Sequence, residues 1–111
     1  MRLTSEFWVS QLIRRAFNGG GYAAIVRKGA AEAGSIFIIL RGRNGQIDLF
    51  GPAPQTEYDT DRPQDRVFTL ILEKASDDKV EAKLASEARF DSDLWVAEVE
   101  PGNGPALFEV R

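Results

Sequence analysis

The stretch Ser35–Pro52 constrains the fold of this chain more than any other, because it holds two β-rich runs separated by Asn44-Gly45. Asn-Gly is the strongest short-range signal for a β-hairpin, since a type I′ turn needs positive φ at both central residues. With these two residues as the turn, Arg41 is predicted to lie opposite Asp48 and to form an ion pair with it. The sequence therefore predicts a hairpin with a firm register.

This register gives the predicted hairpin two different faces. The face expected in the core carries Ile36, Ile38, Leu40, Ile47 and Leu49. The other face is apolar away from the turn, at Phe37, Ile39 and Phe50. Either another part of the same chain or a partner must cover these three side chains. Tyr58, the only aromatic residue of the loop Gly51–Asp65, is expected to fold back over them or to anchor a partner.

The remaining patterns predict two helices and three further strands. An amphipathic stripe with capping residues predicts a helix over Ser5–Phe17, and a second helix opens at Ser76-Asp77-Asp78. Strands are predicted over Tyr22–Lys28, Arg66–Glu73 and Leu94–Val99. The first three strands should form an antiparallel meander, and the later strand, helix and strand a right-handed crossover between parallel strands.

The predicted fold class is α+β, with a mixed, mainly antiparallel sheet of five or six strands in the order α-β-β-β-β-α-β. Both helices are expected on one face of this sheet. The predicted core residues are Trp8, Leu12, Ile13, Val26, Ile36, Ile38, Leu40, Ile47, Leu49, Phe68, Leu70, Leu72, Val80, Leu84, Trp95 and Val99. Residues 1–100 are expected to form a single domain, and 101–111 a C-terminal tail that adds an extra edge strand or frays.

The chain contains neither histidine nor cysteine. This composition excludes Ser-His-Asp and Cys-His nucleophilic sites, imidazole acid–base catalysis, ordinary zinc sites and disulfides. One catalytic hypothesis remains, a carboxylate- or magnesium-dependent enzyme that uses Asp59 and Asp61. These acids lack the other ligands of a Ca²⁺ loop. We therefore expect a protein that is not an enzyme and has no cofactor and no metal site.

No apolar run approaches the roughly 18 residues of a membrane span, and Met1–Glu6 lacks the apolar core of a signal peptide. We therefore expect a cytoplasmic protein. The charge is divided between the two halves, since residues 1–50 carry +4 and residues 51–111 carry −7, which together give −3. Oppositely charged halves attract each other within one fold or across a dimer.

These observations favour a non-catalytic protein-interaction module that forms a homodimer. The predicted partner-binding residues are Phe37, Ile39, Phe50 and Tyr58. The alternative is a nucleic-acid or anion-binding protein that uses basic residues of the N-terminal half. The predicted anion-binding residues are Arg14, Arg15, Arg27, Lys28 and Arg43.

Four segments resemble a bacterial protein family of unknown function, domain-of-unknown-function family 1491. They are Glu6-x-Trp8-Val9 with Arg14-Arg15, then Arg27-Lys28-Gly29-x4-Gly34, then Leu49-Phe50-Gly51-Pro52-Ala53-Pro54, and finally Arg89-Phe90-Asp91-x-Asp93-Leu94-Trp95-Val96. The resemblance covers almost all of the chain up to Glu100. It implies a bacterial cytoplasmic protein and supplies no catalytic or cofactor-binding residue.

Overall fold

The structure is a computed structural model that describes residues 4–42, 44–54, 66–104 and 106–111. Two helices and six strands follow one another along the chain. They are α1 (Ser5–Asn18), β1 (Tyr22–Arg27), β2 (Ile36–Arg41), β3 (Ile47–Pro52), β4 (Val67–Ala75), α2 (Asp77–Phe90), β5 (Trp95–Glu100) and β6 (Glu109–Val110). The predicted α+β class with a mixed sheet is confirmed.

Helix α1 forms where the amphipathic stripe predicted it. The Thr4 hydroxyl accepts a hydrogen bond from the N–H of Phe7 and so caps the first turn. Trp8, Val9, Leu12 and Ala16 are buried along one side of the helix. The helix ends at Gly19, whose N–H bonds to the carbonyl of Arg15. At the N-terminus of α2, the Ser76 hydroxyl accepts a hydrogen bond from the N–H of Lys79 and caps the first turn.

The strand order of the sheet is β1-β5-β2-β3-β4-β6. Strand β5 lies between β1 and β2, antiparallel to the first and parallel to the second, so the predicted meander of the first three strands is wrong. Five of the six residues of β5 are buried or half-buried on both faces, which is typical of a central strand, whereas most of β1 is exposed. The chain therefore places its last long strand inside the sheet, between β1 and β2, and β1 at an edge.

The two helices cover opposite faces of the sheet, so the expectation that both lie on one face is wrong. On the face covered by α1, Trp8 and Leu12 pack with Ile36 and Ile38. On the face covered by α2, Val80 packs with Phe37 and Ile39. Both faces of β2 are apolar, and each one buries its side chains under a helix. We call these the α1 face and the α2 face.

The β2–β3 hairpin is confirmed, but its register differs by one residue from the prediction. Leu40 pairs with Asp48 and Arg41 with Ile47. The N–H of Gly42 bonds to the carbonyl of Gln46, and only Gly45 in the described turn has positive φ, at 83°. The turn is therefore not type I′, which needs two positive φ angles.

The shifted register also changes the partners of the two charged residues. Arg41 does not pair with Asp48; it bonds to Glu98 at 3.2 Å and to Asp77 at 2.9 Å. The Asp48 carboxylate instead accepts a hydrogen bond from the N–H of Lys74 at 2.9 Å, where the backbone of β4 has a positive φ of 50°. The shift moves Phe50 to the α1 face and brings the side chains of Ile47 and Leu49 to the α2 face.

The C-terminal residues pack against the far end of the sheet. Strand β6 pairs parallel to β4 at Val67 and Phe68. The ring of Phe108 contacts the rings of Phe50 and Phe68 edge-on, with centroids 5.2 and 5.4 Å away. None of the helices in the described ranges is long and apolar enough to cross a membrane.

Candidate interaction surface

The residues predicted to bind a partner are mostly inside the molecule. Phe37, Ile39 and Phe50 expose between 5% and 8% of their surface. Helix α2 covers the first two, and Phe108 packs on the third. The chain itself therefore covers these three side chains, which is the first of the two predicted alternatives, and they form no exposed surface. Tyr58 lies outside the described residues, as do Asp59 and Asp61.

The predicted anion-binding residues are not brought together. Arg14 and Arg15 are exposed towards the C-terminal end of α1, whereas Lys28 lies 3.9 Å from Glu6 in the first turn of the same helix. Arg14 follows Glu6 by eight positions in the helix, which corresponds to about 12 Å along the axis. The Arg27 guanidinium donates to the carbonyl of Ser92. Arg43 lies outside the described residues.

Two of the segments that carry the family resemblance meet after β1. The loop between β1 and β2 contacts the turn between α2 and β5, where the N–H of Ala30 bonds to the carbonyl of Asp93 and the indole N–H of Trp95 bonds to the carbonyl of Ala30 at 2.7 Å. Gly29 and Gly34 pass so close to the carbonyl of Asp93 that neither position has room for a Cβ atom. The spacing of these glycines therefore follows from backbone packing.

Asp91 is the polar centre of this junction. Its carboxylate accepts hydrogen bonds from the N–H of Ser35 at 3.2 Å and of Asp93 at 3.0 Å. Partial burial would raise the pKa of Asp91, but these hydrogen bonds and the nearby Arg27 charge outweigh it and hold the pKa below its usual value. The Asp91-x-Asp93 pattern thus organises a turn, and no group of His, Cys, Asp and Glu in the described ranges is arranged to hold a metal ion.

The same loop also closes the N-terminus of α1. The N–H groups of Ser5 and Glu6 donate to the carbonyls of Glu32 and Ala31, and the fully buried Ser5 hydroxyl donates to the carbonyl of Gly34. Helix N-termini bind anions through free N–H groups. Here these two donors are already bonded to the chain, so the junction has the properties of a structural element.

The exposed apolar side chains concentrate elsewhere, on α1 and β1. Eight large hydrophobic residues of the described ranges are exposed, and five of them lie on these two neighbouring elements. They are Phe7, Phe17, Tyr22, Ile25 and Val26. Phe17 and Tyr22 contact each other with ring centroids 5.7 Å apart. We call the surface formed by these five residues and the outer edge of β1 the α1–β1 surface.

Val26 was predicted in the core, but it is 57% exposed. The pairing of β1 with β5 passes from Ile25 directly to Arg27, so Val26 lies in a β-bulge and is not paired. Leu70 was also predicted in the core and is exposed on β4. A bulge is not visible in the hydrophobic pattern, which is why the sequence did not reveal the exposed end of β1.

The outer edge of β1 has no neighbouring strand among the described residues, since β1 pairs only with β5. A groove of about 460 Å³ runs beside this edge, between Phe7 and Ser10 of α1 on one side and Ile25 of β1 and the following Lys28 on the other. Strand edges present unpaired N–H and C=O groups and are sites for pairing with another chain. The α1–β1 surface therefore combines an open strand edge with exposed apolar and aromatic side chains.

Comparison with known proteins gives a family but no activity. The family model described as a protein of unknown function, DUF1491, matches residues 3–109. No curated protein matches this chain.

Solved structures are similar to this chain in both fold and sequence. The solution structure of protein Atu0922 from A. tumefaciens is 45% identical, with a TM-score of 0.84 over 99% of this chain and 95% of that one. A crystal structure of a DUF1491 family protein from Caulobacter crescentus CB15 is 31% identical, with a TM-score of 0.77 over 100% of this chain and 99% of that one. The predicted resemblance is confirmed: this chain belongs to the DUF1491 family.

Proposed function

We propose that the protein is a non-catalytic, cytoplasmic protein-interaction module that forms a homodimer through the α1–β1 surface. The observation that carries this proposal is the outer edge of β1, which pairs with no strand in the described part of the chain and is flanked by exposed apolar side chains on both β1 and α1. The surface predicted from the sequence was a different one, around Phe37, Ile39 and Phe50, and it is buried under the chain's own elements.

The composition of the β1 strand supports this choice of surface. Natural proteins protect exposed edge strands with charges, prolines or very short strands. Residues 22–26 contain no charge and no proline, and the bulge at Val26 interrupts only the last part of the strand. Large exposed apolar patches on soluble proteins mark interaction sites. Covering this edge in a dimer would satisfy its backbone groups and remove its apolar side chains from water.

The non-catalytic part of the proposal rests on composition. Without histidine or cysteine, the chain lacks the residues that most often act as acid–base catalysts, nucleophiles and transition-metal ligands. The carboxylates and cations that the structure brings together, at Arg41 and at Asp91, are bonded to other groups of the fold. The exposed apolar side chains of the α1–β1 surface are available for contact with another protein.

Light scattering at low micromolar concentration tests the proposal. We expect the mass of a dimer for the unmodified chain and the mass of a monomer for Ile25→Lys, because a lysine at the centre of the interface would be desolvated without a partner charge. Val110→Lys is the matched control, since Ile25 is 46% and Val110 47% exposed on opposite edges of the sheet. A monomeric unmodified chain would overturn the proposal.

Nucleic-acid or anion binding is the alternative function, and the same samples test it. Binding through exposed arginines such as Arg14 and Arg15 would retain the protein on heparin or single-stranded DNA at low salt and weaken steeply as salt increases. We expect no such retention, since these two arginines lie at the other end of α1 from Lys28. Salt-dependent retention that is lost in an Arg14→Gln, Arg15→Gln variant would favour the alternative.

A further inference from the structure

The geometry of the α1–β1 surface points to one particular dimer, in which β1 pairs antiparallel with β1 of a second copy about a two-fold axis at Ala24. The two six-stranded sheets then become one sheet of twelve strands. This inference rests on the proposed function and adds the identity and register of the partner. A two-fold axis makes each copy present the same patch to the other, so the patch must be complementary to itself.

The first argument is the alternation of side chains along β1. Ile25 pairs with Ala97 and Ala23 with Val99, so both lie on the α1 face, while Ala24 lies on the α2 face opposite Glu98. Residues opposite each other in an antiparallel pair point to the same face. An axis at Ala24 obeys this rule, because it places Ile25 of each copy opposite Ala23 of the other. The small side chains at Ala23 and Ala24 leave room for the larger Ile25.

The second argument is the position of α1 relative to β1. Phe17 contacts Tyr22 at one end of the strand, and Glu6 approaches Lys28 at the other, so α1 runs antiparallel to β1 with its middle level with Ala24 and Ile25. The axis at Ala24 therefore brings the two α1 helices side by side on one face of the joined sheet. Helices that pack on each other lie about 8–10 Å apart, and exposed phenylalanine side chains extend the reach of each helix towards the other.

In this arrangement the exposed aromatic residues of the two helices meet. The midpoint between Phe7 and Phe17 lies at Leu12, level with the axis, so Phe7 of each copy faces Phe17 of the other. Ser10 faces Arg14 in the same way. Aromatic pairs add about 0.5–1.5 kcal/mol to the burial of their surface. The exposed helix surface is thus apolar at both ends and polar in the middle, and the antiparallel arrangement opposes phenylalanine to phenylalanine while keeping Arg14 of one copy away from Arg14 of the other.

The third argument is charge. The antiparallel register brings Arg27 of one copy level with Tyr22 of the other. Tyr22 pairs with Glu100 on the neighbouring strand, and Arg27 pairs with Val96 at the other end of β1. The basic end of each β1 therefore approaches the acidic end of the other copy, twice across the axis. A parallel arrangement would place Arg27 beside Arg27, and like charges directly opposite are destabilising.

A cysteine at the axis tests the register. Residues that face each other across an antiparallel pair have Cα atoms about 4.5–5.5 Å apart, which is within the range of a disulfide. Because the chain has no cysteine of its own, Ala24→Cys introduces a single thiol. After mild oxidation we expect a covalent dimer on a non-reducing gel, which a reductant reverses. Ala82→Cys, exposed on α2, is the matched control and should stay monomeric on the gel.

A second pair of variants tests the helix contact without touching the strand. Phe7→Cys and Phe17→Cys, mixed in equal amounts, should form a disulfide between unlike chains faster than either variant cross-links alone. A dimer in light scattering without cross-linking at Ala24 or between residues 7 and 17 would overturn this geometry and leave the proposed homodimer in place. A monomer at every concentration tested would overturn both.

Discussion

The two edges of the sheet are built in opposite ways. At the β6 edge the outer strand has only two residues, Arg111 forms an ion pair with Glu109 at 2.9 Å, and the N–H of Arg111 bonds to the carbonyl of Phe68. At the β1 edge the outer strand has six residues, and the first five carry no charge. Short and charged edges resist pairing with another chain, whereas long and uncharged edges permit it.

The exposure of a single side chain does not distinguish these edges, since Val110 and Ile25 are exposed to nearly the same extent. The surroundings of these two side chains distinguish the edges. Val110 follows Phe108, whose ring is inserted into the core beside Phe50, while Ile25 adjoins the exposed Phe7 and Val26. The difference teaches that a candidate interface is identified by a continuous set of exposed groups around an open strand edge.

The largest effect on stability should follow from opening the β6 edge. Phe108→Ala removes two aromatic contacts in a half-buried position and should lower the free energy of unfolding by about 2–3 kcal/mol. Denaturant unfolding measures this change. If the two edges have the separate roles described above, the folded variant keeps the same mass in light scattering as the unmodified chain. Dissociation of the dimer would show that the interface is at β6.

A smaller effect is expected next to the β1 edge, at the junction that follows this strand. Asp91→Ala leaves the N–H groups of Ser35 and Asp93 without their acceptor and should lower the free energy of unfolding by about 1–2 kcal/mol at neutral pH. The pKa of Asp91 is lower in the folded protein than in the unfolded chain. Its contribution to the free energy of unfolding is therefore present at pH values above the pKa of the unfolded state, and it is lost as the pH falls through the pKa of the folded state.

The pH dependence provides the check on this assignment. The difference in melting temperature between the unmodified chain and Asp91→Ala should therefore decrease as the pH falls below about 4. Asp93→Ala is the control, because its side chain accepts no hydrogen bond in the junction and only its backbone takes part. A difference in melting temperature that is unchanged at low pH would show that the charge of Asp91 does not stabilise the junction.

The smallest effect should come from the middle of the sheet, which belongs to neither edge. Arg41→Gln removes a half-exposed contact with Glu98 and Asp77 and should cost about 1 kcal/mol, with no change in mass. Hydrogen bonds to Glu98 and then to Asp77 raise the pKa of Arg41 further above its usual value, so the contact should not titrate near neutral pH. Lys79→Gln is the control for the loss of a positive charge, because Lys79 is an exposed residue of α2.

Local features of the fold could be predicted from the sequence, because local physics determines them. Helix α1 follows from the stripe between Trp8 and Ala16 together with the cap at Thr4. The β2–β3 hairpin follows from its β-rich runs, but Asn44-Gly45 fits a two-residue turn as well as a longer one in which only the glycine has positive φ. Packing on both faces of β2 decides between the two kinds of turn, and the residues that pack there are distant in the sequence.

The arrangement of the elements and the candidate interface could not be predicted for the same reason. Nothing local to Phe37 and Ile39 indicates that α2, far along the chain, covers them. The exposed state of Val26 depends on a bulge against β5, a strand that begins at Trp95. The family resemblance identified the segments around Gly34 and Asp91, and the structure explains them as backbone packing and turn geometry.

The central position of β5 also determines when the protein can fold during its synthesis. Strands β1 and β2 are synthesised before β3, β4 and α2, yet the strand that joins them, β5, is made only after these three elements. Domains complete their folding only after their long-range partners have been made, and pairings between distant segments form slowly. Until β5 has been made, both edges that it will occupy are open in the nascent chain, which is then exposed to misassembly and to capture by chaperones.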